Sequence, residues 1–385
     1  MPVVVMSPYN VATFPQGGGH FWVYLQYALG LRRLGCDVYW LEAFRTKGRE
    51  EREAAALATF RARMRQYGFD GKVILYPTQS KKASQDAPVE YLTTTRADAE
   101  AVFDEADLLL NFHYAISPGL LACFRRTALV DIDPGLLQFW ITRGQLTVPS
   151  HDVYFTIGEA IGDCGIHWIP FRPPVCLEHW PYVFSPCCET FTTISNWDSG
   201  EWVTDGPATY ENTKRVAFLE FADLPRLTGQ SIELALCVRT ERDAAEWREL
   251  ERRGWRISHA PEVAASPETY QAYIQGSRGE FSCARPSYVR FQNAWISDRT
   301  LCYLASGKPV VVQDTGPSAF LPDGEGMFRF STIAEAADAF AAINADYEGH
   351  SRAAREIART HFDATRTLER VLTIALSRSE RVCRR

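Results

Sequence analysis

The opening residues alternate between apolar runs and a stretch of helical periodicity. Residues 3–6 form an apolar run, and after a loop that ends in three glycines the apolar positions of residues 20–34 recur with a helical period. Gly35 follows as a helix stop, and a second apolar run occupies residues 37–41. This order of strand, glycine loop, helix and strand predicts a βαβ unit.

The same alternation continues to about residue 160. Apolar runs predict strands at residues 72–76, 108–112, 129–132 and 154–156, and amphipathic patterns predict helices at residues 50–67 and 96–105. Strands that alternate with helices indicate a parallel sheet covered by helices. Repeated prolines then exclude a helix, and we assign residues 171–190 to a linker.

The second half repeats this architecture. Its predicted strands are residues 191–195, 231–237, 255–259, 279–284 and 309–313, and its predicted helices are residues 210–221, 243–253, 267–276, 297–306, 333–344 and 347–362. The pattern therefore predicts an α/β protein with two domains facing a cleft, residues 1–170 and 191–365. Residues 366–385 follow as a C-terminal helix and a basic tail.

Composition narrows the class of protein. The 385 residues are 46% hydrophobic and 23% charged, which suffices for two packed cores. A net charge of -6 argues against nucleic acid as a partner, since phosphate contacts require clustered Lys and Arg. The cysteines lack the spacing of a disulfide scaffold, and the N-terminus lacks a signal-peptide pattern. We expect a cytoplasmic protein whose arginine-rich tail makes at most peripheral membrane contact.

Two candidate groups for catalysis lie in the first half. The glycine loop of Gly17, Gly18 and Gly19 would let a phosphate or sugar approach backbone N–H groups, although a plain tight turn explains the glycines equally well. His20 opens the following helix and could deprotonate an acceptor hydroxyl, or it could simply cap the helix. Asp133 follows a predicted strand at the edge where parallel sheets bind ligands, and is also a good turn-former.

A different kind of site is suggested by two C-x-x-H pairs. Cys164 with His167, and Cys176 with His179, offer four ligands that could bind zinc. The bulky apolar segment between the pairs favours interdomain packing as the alternative. We therefore predict no metal centre as the main interpretation.

The densest polar signal is the start of the predicted helix at residues 297–306. Ser297 is a natural N-cap, and free N–H groups, the Thr300 hydroxyl and the Arg299 guanidinium could bind a diphosphate there. Arg285, at the end of the preceding strand, could add a second positive charge. The loop of Asp314, Thr315 and Gly316 follows the next strand and is expected to face the cleft.

The segment Leu-Ala-Ser-Gly-Lys-Pro-Val-Val-Val-Gln-Asp-Thr-Gly, which ends at Gly316, resembles the C-terminal donor domain of GT-B glycosyltransferases of the large group-1 class. Leu-Pro-Asp-Gly-Glu-Gly-Met-Phe and the terminal helices are also similar to that class. The resemblance implies two Rossmann-like domains and a nucleoside diphosphate sugar, of UDP, dTDP or GDP type, as co-substrate without a further cofactor.

The chain departs from that class at one motif. Retaining members carry two glutamates separated by seven residues around the donor helix, and Ala294 and Cys302 stand at those positions here. The resemblance therefore leaves Asp298, Arg299 and Glu325 as candidates for the sugar and diphosphate contacts.

These observations predict metal-independent sugar transfer to an acceptor that is a small molecule, glycan, lipid or protein. Loss of the glutamate pair favours inversion, with His20 or Asp133 as the base. A GT-B epimerase and a non-catalytic protein that binds nucleotide sugar or glycan are the alternatives. We also expect Arg299→Ala to weaken donor turnover and to leave folding intact.

Overall fold

The N-terminal half forms a parallel sheet in the strand order β3-β2-β1-β4-β5-β6-β7. The structure, a computed structural model, describes residues 1–79, 86, 88, 90–237 and 240–377. The strands are β1 (Val3–Ser7), β2 (Asp37–Arg45), β3 (Val73–Thr78), β4 (Leu108–Asn111), β5 (Thr127–Asp131), β6 (Val153–Thr156) and β7 (Trp168–Pro170). The helices are α1 (Gly18–Arg33), α2 (Glu50–Gln66), α3 (Arg96–Glu105), α4 (Pro118–Leu121) and α5 (Leu136–Thr142).

The central strands of this sheet are buried on both faces. Every residue of β4 and β5 is buried, which explains why these strands read as continuous apolar runs. The strand order reverses between β1 and β4, so the loops that follow these two strands diverge at the carboxyl edge of the sheet. A crevice at such a point is where open α/β sheets bind ligands.

The C-terminal half has a second parallel sheet in the order β12-β11-β8-β13-β14-β15 and a separate antiparallel hairpin of β9 and β10. Its strands are β8 (Phe191–Asn196), β9 (Trp202–Asp205), β10 (Ala208–Glu211), β11 (Ile232–Cys237), β12 (Arg256–His259), β13 (Gly279–Ser282), β14 (Val310–Gln313) and β15 (Met327–Phe330). Its helices are α6 (Lys214–Glu220), α7 (Leu224–Thr228), α8 (Glu241–Arg252), α9 (Ala260–Val263), α10 (Pro267–Gln275), α11 (Pro286–Phe291), α12 (Asp298–Ala305), α13 (Ile333–Ala345), α14 (Tyr347–His361) and α15 (Ala364–Leu376).

The predicted elements are present, with one clear error. The helix predicted for residues 210–221 begins only at Lys214, because residues 208–211 pair with β9 as the second strand of the hairpin. Gly206, with a φ of 60°, makes the turn of that hairpin. Several short elements were not predicted, since three to seven residues carry too little periodicity; they are α4, α5, α7, α9, α11, β7 and β15.

The two halves are connected by residues 171–190 and by the last helix. Within residues 171–190 the backbone makes an isolated bridge between Val175 and Asp363. Helix α15 packs against α1, where Gly30 leaves room for the Leu368 side chain. The basic tail beyond residue 377 lies outside the described residues. Among the helices that the structure describes, none has the length and apolarity needed to cross a membrane.

Candidate functional site

His20 lies at the start of α1, on the N-terminal side of the cleft. Its Nε2 is 2.8 Å from the backbone carbonyl of Tyr9, in the loop that follows β1. A carbonyl oxygen only accepts hydrogen bonds, so Nε2 carries the proton and the neutral imidazole keeps its Nδ1 lone pair free. Burial lowers the pKa of His20, while the Tyr9 carbonyl and the charge of Asp133 act to raise it. His20 is therefore neutral at pH 7 and able to accept a proton.

Asp133 follows β5 at the carboxyl edge of the same sheet. Its backbone N–H donates to the Asp131 carboxylate at 3.0 Å, which fixes the turn. Its own Oδ1 accepts a hydrogen bond from the Tyr288 hydroxyl of α11, across the cleft. Asp133 thus links the two halves and places a negative charge near His20.

Asp298 is the first residue of α12 and meets the same cluster from the C-terminal side. Burial and the nearby Asp133 charge raise its pKa to about 7, against opposing effects of its own backbone N–H and of Arg299. Ser297 precedes it as N-cap, with its hydroxyl 3.3 Å from the Arg299 amide nitrogen. Three residues from different parts of the sequence, His20, Asp133 and Asp298, therefore gather in the cleft, and we call them the His20 cluster.

A group of cations faces the His20 cluster at the carboxyl edge of the second sheet. Burial lowers the pKa of Lys214 far below its ordinary value, and the positive charges of Arg299 and Arg285 lower it further. In the described part of the chain, the Lys214 ammonium has no ion pair. Arg285 and Arg299 have carboxylate partners, Glu201 and Glu280, but their positive charges still act on Lys214, and a bound anion would relieve this repulsion. We call Lys214, Arg285 and Arg299 the cationic group.

Sequence reasoning missed Lys214, although one signal was available. Lys214 is the first residue of α6, where the helix dipole opposes a positive charge. A lysine at this position costs stability unless an anion is bound nearby. The misplaced helix start at residue 210 concealed that signal.

Within the cationic group, Arg285 is the member that reaches the N-terminal side of the cleft. Its guanidinium is 3.3 Å from the Glu201 carboxylate, and burial, which lowers its pKa, is outweighed by electrostatic interactions with Tyr288, Asp133 and Glu201. It also lines a cavity of ≈ 170 Å³ on the N-terminal side of the cleft. Donor binding by Arg285 stays a prediction.

Arg299 requires a correction. Its guanidinium points into the sheet, where Nε donates to the Glu280 carboxylate at 2.7 Å and Nη1 donates to the Ile194 carbonyl at 2.6 Å. A third hydrogen bond, to the Ser282 hydroxyl, leaves the side chain only 9% exposed. The prediction that the Arg299 guanidinium points toward a diphosphate is therefore wrong. Arg299 contributes its positive charge from below the surface of the cleft.

The glycine loop also differs from expectation. The Gly18 N–H donates to the Ala264 carbonyl at 2.8 Å, and a Cβ at Gly18 would lie 2.1 Å from the Ser266 carbonyl oxygen. A Cβ at Gly19 would likewise meet the Tyr270 ring, and one at Gly17 the Phe14 ring. The space left by the missing side chains is therefore filled mainly by residues of the other domain, and not by a phosphate.

The remaining predicted residues fall into two sets. Thr300 and Ser297 line a small hollow beyond β13 and β14. Thr315 donates to the Trp295 carbonyl, Asp314 accepts from the Gly316 N–H, and Gly316 packs on the Gln292 backbone with a φ of 115°. These three shape the loop before α12.

The prediction that Glu325 contacts the sugar or the diphosphate is wrong. Glu325 is exposed and precedes β15, whose first residue Met327 pairs with Val310 at the start of β14. Glu325 is therefore at the amino edge of the sheet, whereas the cationic group is at the carboxyl edge. A contact from Glu325 to a ligand in the cleft is excluded by this arrangement.

The two C-x-x-H pairs do not form a metal centre in the described residues, where no group of three or more potential ligands is close enough to hold an ion. Cys164 accepts a hydrogen bond from the Trp168 indole, whereas Cys176 lies against Gln26 of α1. His179 packs beside Trp22. The segment serves interdomain packing, which was the alternative interpretation.

Comparison with known proteins decides the fold. No protein-family profile and no curated protein matches the chain. Among solved structures, it is similar to HepE from Anabaena in complex with UDP and glucose, with 11% identity, a TM-score of 0.61, and coverage of 98% of this chain and 100% of that one. It is also similar to an alpha-glucosyltransferase in complex with UDP and a 13-mer DNA, with 12% identity, a TM-score of 0.60, and coverage of 98% of this chain and 100% of that one.

A third similar structure is AviGT4, a glycosyltransferase involved in avilamycin A biosynthesis, with 13% identity, a TM-score of 0.57 and coverage of 97% of each chain. The chain has the GT-B fold. The two sheets described above are the two Rossmann-like domains of that fold, and the likeness extends over nearly the full chain. The His20 cluster and the cationic group therefore face each other across a GT-B cleft.

Proposed function

We propose that this protein is a glycosyltransferase that moves a sugar from a nucleoside diphosphate sugar to an acceptor hydroxyl. The single observation that carries the proposal is the half-buried Lys214, which has no ion pair among the described residues and feels the positive charges of Arg285 and Arg299. A diphosphate supplies the negative charge that this group lacks. UDP is the nucleotide that we propose, because HepE and the alpha-glucosyltransferase were both solved with UDP.

The chemistry follows from the two groups that face each other. His20 Nδ1 takes the proton of the acceptor hydroxyl, and the resulting oxygen attacks the anomeric carbon as the bond to the diphosphate breaks. Lys214 and Arg285 stabilise the charge that develops on the leaving phosphate. The negative charge of Asp133 stabilises the imidazolium that forms. Because these charges are fixed in the protein, we propose that transfer requires no metal ion.

Lys214→Met tests the donor site. We expect turnover of a UDP-sugar to fall about 10²-fold, as for loss of one charge that stabilises a leaving group. The unliganded variant should nevertheless unfold at the same or a higher temperature, because it no longer holds three cations together. Steady-state release of UDP and thermal unfolding, each with and without UDP, measure both effects.

The control for charge alone is Arg248→Met, which removes one exposed positive charge from α8. It should leave turnover and the UDP-induced thermal shift unchanged. Equal turnover and an equal UDP-induced shift in Lys214→Met and the unmodified protein would contradict the proposed site. Epimerised donor without transfer, or tight UDP binding without any turnover, would instead support the two alternative functions.

The stereochemical course is a separate prediction. A base opposite the leaving diphosphate directs the acceptor oxygen to attack the anomeric carbon from the far side. The transferred sugar should therefore carry the inverted anomeric configuration. Proton NMR of the glycoside product reads the anomeric coupling directly. Retention would remove His20 from the role of base without affecting the donor site.

A further inference from the structure

The cavity beside Asp133 is built mainly by the N-terminal domain. It lies beyond the carboxyl ends of β4 and β5 and is closed on one side by α5, with a volume of ≈ 170 Å³. The C-terminal domain contributes Glu201 and Arg285. Since most of the lining belongs to the N-terminal half and Lys214 does not line the cavity, the cavity is on the side of the cleft from which an acceptor would approach His20 and Asp133.

The lining combines aromatic surface with few polar groups. Phe112, Tyr114 and Trp140 present rings to the cavity, and His113 adds a buried imidazole. The His113 Nε2 is 3.1 Å from the Ser7 hydroxyl, but in the described part of the chain its Nδ1 has no hydrogen-bond partner. A buried polar atom without a partner is costly, so a ligand hydroxyl that pairs with it would bind favourably.

Charge limits the kind of ligand. The lining carries the carboxylates of Asp131, Asp133 and Glu201 against one guanidinium, that of Arg285, which is already paired with Glu201. An anionic ligand would meet this negative lining without a free cation of its own. The volume is below the roughly 300–1,000 Å³ of pockets for drug-sized molecules, which suits a single small ring.

Exposed aromatic side chains lie at this cavity. Tyr114 lines the cavity and is 42% exposed. Tyr9, 39% exposed, packs on the lining residue His113. We call Tyr9 and Tyr114 the aromatic rim.

We propose that the acceptor is a neutral glycan whose terminal sugar enters the cavity and whose next sugar stacks on the aromatic rim. This inference rests on the proposed function. A pyranose has hydroxyls at its edge, which match His113 and Asp133, and a C–H face, which matches aromatic rings. A neutral charge fits the carboxylate-rich lining, and a chain longer than one ring accounts for the exposed part of Tyr114 at a cavity of this size.

The test compares glycan classes on the intact protein. An array of neutral and anionic glycans, with a single-stranded DNA oligonucleotide included, is probed for binding in the presence of UDP. Neutral glycans that bind are then supplied with a UDP-sugar, and UDP release is measured. We expect neutral glycans to bind and to accelerate UDP release, and we expect Tyr114→Ala to raise their KM about tenfold, as for loss of an aromatic anchor.

Leu227→Ala is the matched control, because Leu227 is 59% exposed on α7 and outside both groups; its KM should stay unchanged. The UDP-induced thermal shift verifies that Tyr114→Ala is folded. Binding confined to anionic glycans or to DNA, the absence of any glycan binding, or an unchanged KM in folded Tyr114→Ala would overturn this inference. Absence of UDP binding in the unmodified protein would instead overturn the proposed function.

Discussion

His20→Ala should reduce sugar transfer about 10³-fold while leaving the affinity for UDP within a factor of two, about the loss expected when a positioned base is removed. The imidazole is fixed by the Tyr9 carbonyl at 2.8 Å, and its free Nδ1 is the atom that the variant removes. In the proposed site, UDP binds through the cationic group on the opposite side of the cleft. Single-turnover transfer and calorimetric UDP binding separate the two effects.

The pH dependence of the unmodified protein follows from the same residue. Transfer requires neutral His20, so the rate should rise with pH as the imidazole loses its proton. Because burial lowers the pKa of His20 from its ordinary value of 6.5, this rise should occur at a lower pH than for an ordinary histidine. The acidic limb should disappear from the residual rate of His20→Ala.

His167→Ala is the control, since His167 is an exposed histidine outside the site. It should retain both the rate and its pH profile. A His20→Ala protein that binds UDP and transfers sugar at the unmodified rate would assign the base to another group. Asp133→Asn would then be the next variant, because Asp133 is the other candidate base of the His20 cluster.

Arg299→Ala should lower the free energy of unfolding by about 3–5 kcal/mol, the cost typical of removing one partner of a buried ion pair. The sequence alone predicted that this variant would fold normally, and the structure corrects that expectation. Glu280 is completely buried, and Arg299 Nε is 2.7 Å from its carboxylate. Without Arg299 the carboxylate remains in the interior with no opposite charge beside it. Chemical denaturation in urea measures the loss.

The double variant Arg299→Ala/Glu280→Gln distinguishes charge from packing. Removal of the stranded carboxylate should recover a large part of the lost stability, because the uncompensated charge is then gone. Arg248→Ala, on the exposed face of α8, should change the unfolding free energy by less than about 0.5 kcal/mol. An Arg299→Ala protein as stable as the unmodified one would show that the ion pair contributes little to the fold.

The periodicity of the chain was enough to predict the architecture. Long runs such as residues 108–112, and the amphipathic stretch after the three glycines, encode their own secondary structure, and their alternation restricts the topology to parallel sheets. His20, Asp133 and Asp298 could be selected for a similar reason, since each stands at a strand end or helix start where α/β sheets bind ligands.

The sequence left undecided the contacts between residues that are far apart in the chain. The direction of Arg299 depends on Glu280 and Ile194, which reach it from two other strands. The significance of Lys214 depends on Arg285 and on its place at the start of α6, and the glycine loop proved to admit the backbone near Ser266. Local pattern determines which element forms, because its hydrogen bonds and periodicity lie within a few residues. Only tertiary packing determines which charges and backbones meet, because those partners are brought together by the fold and not by spacing along the chain.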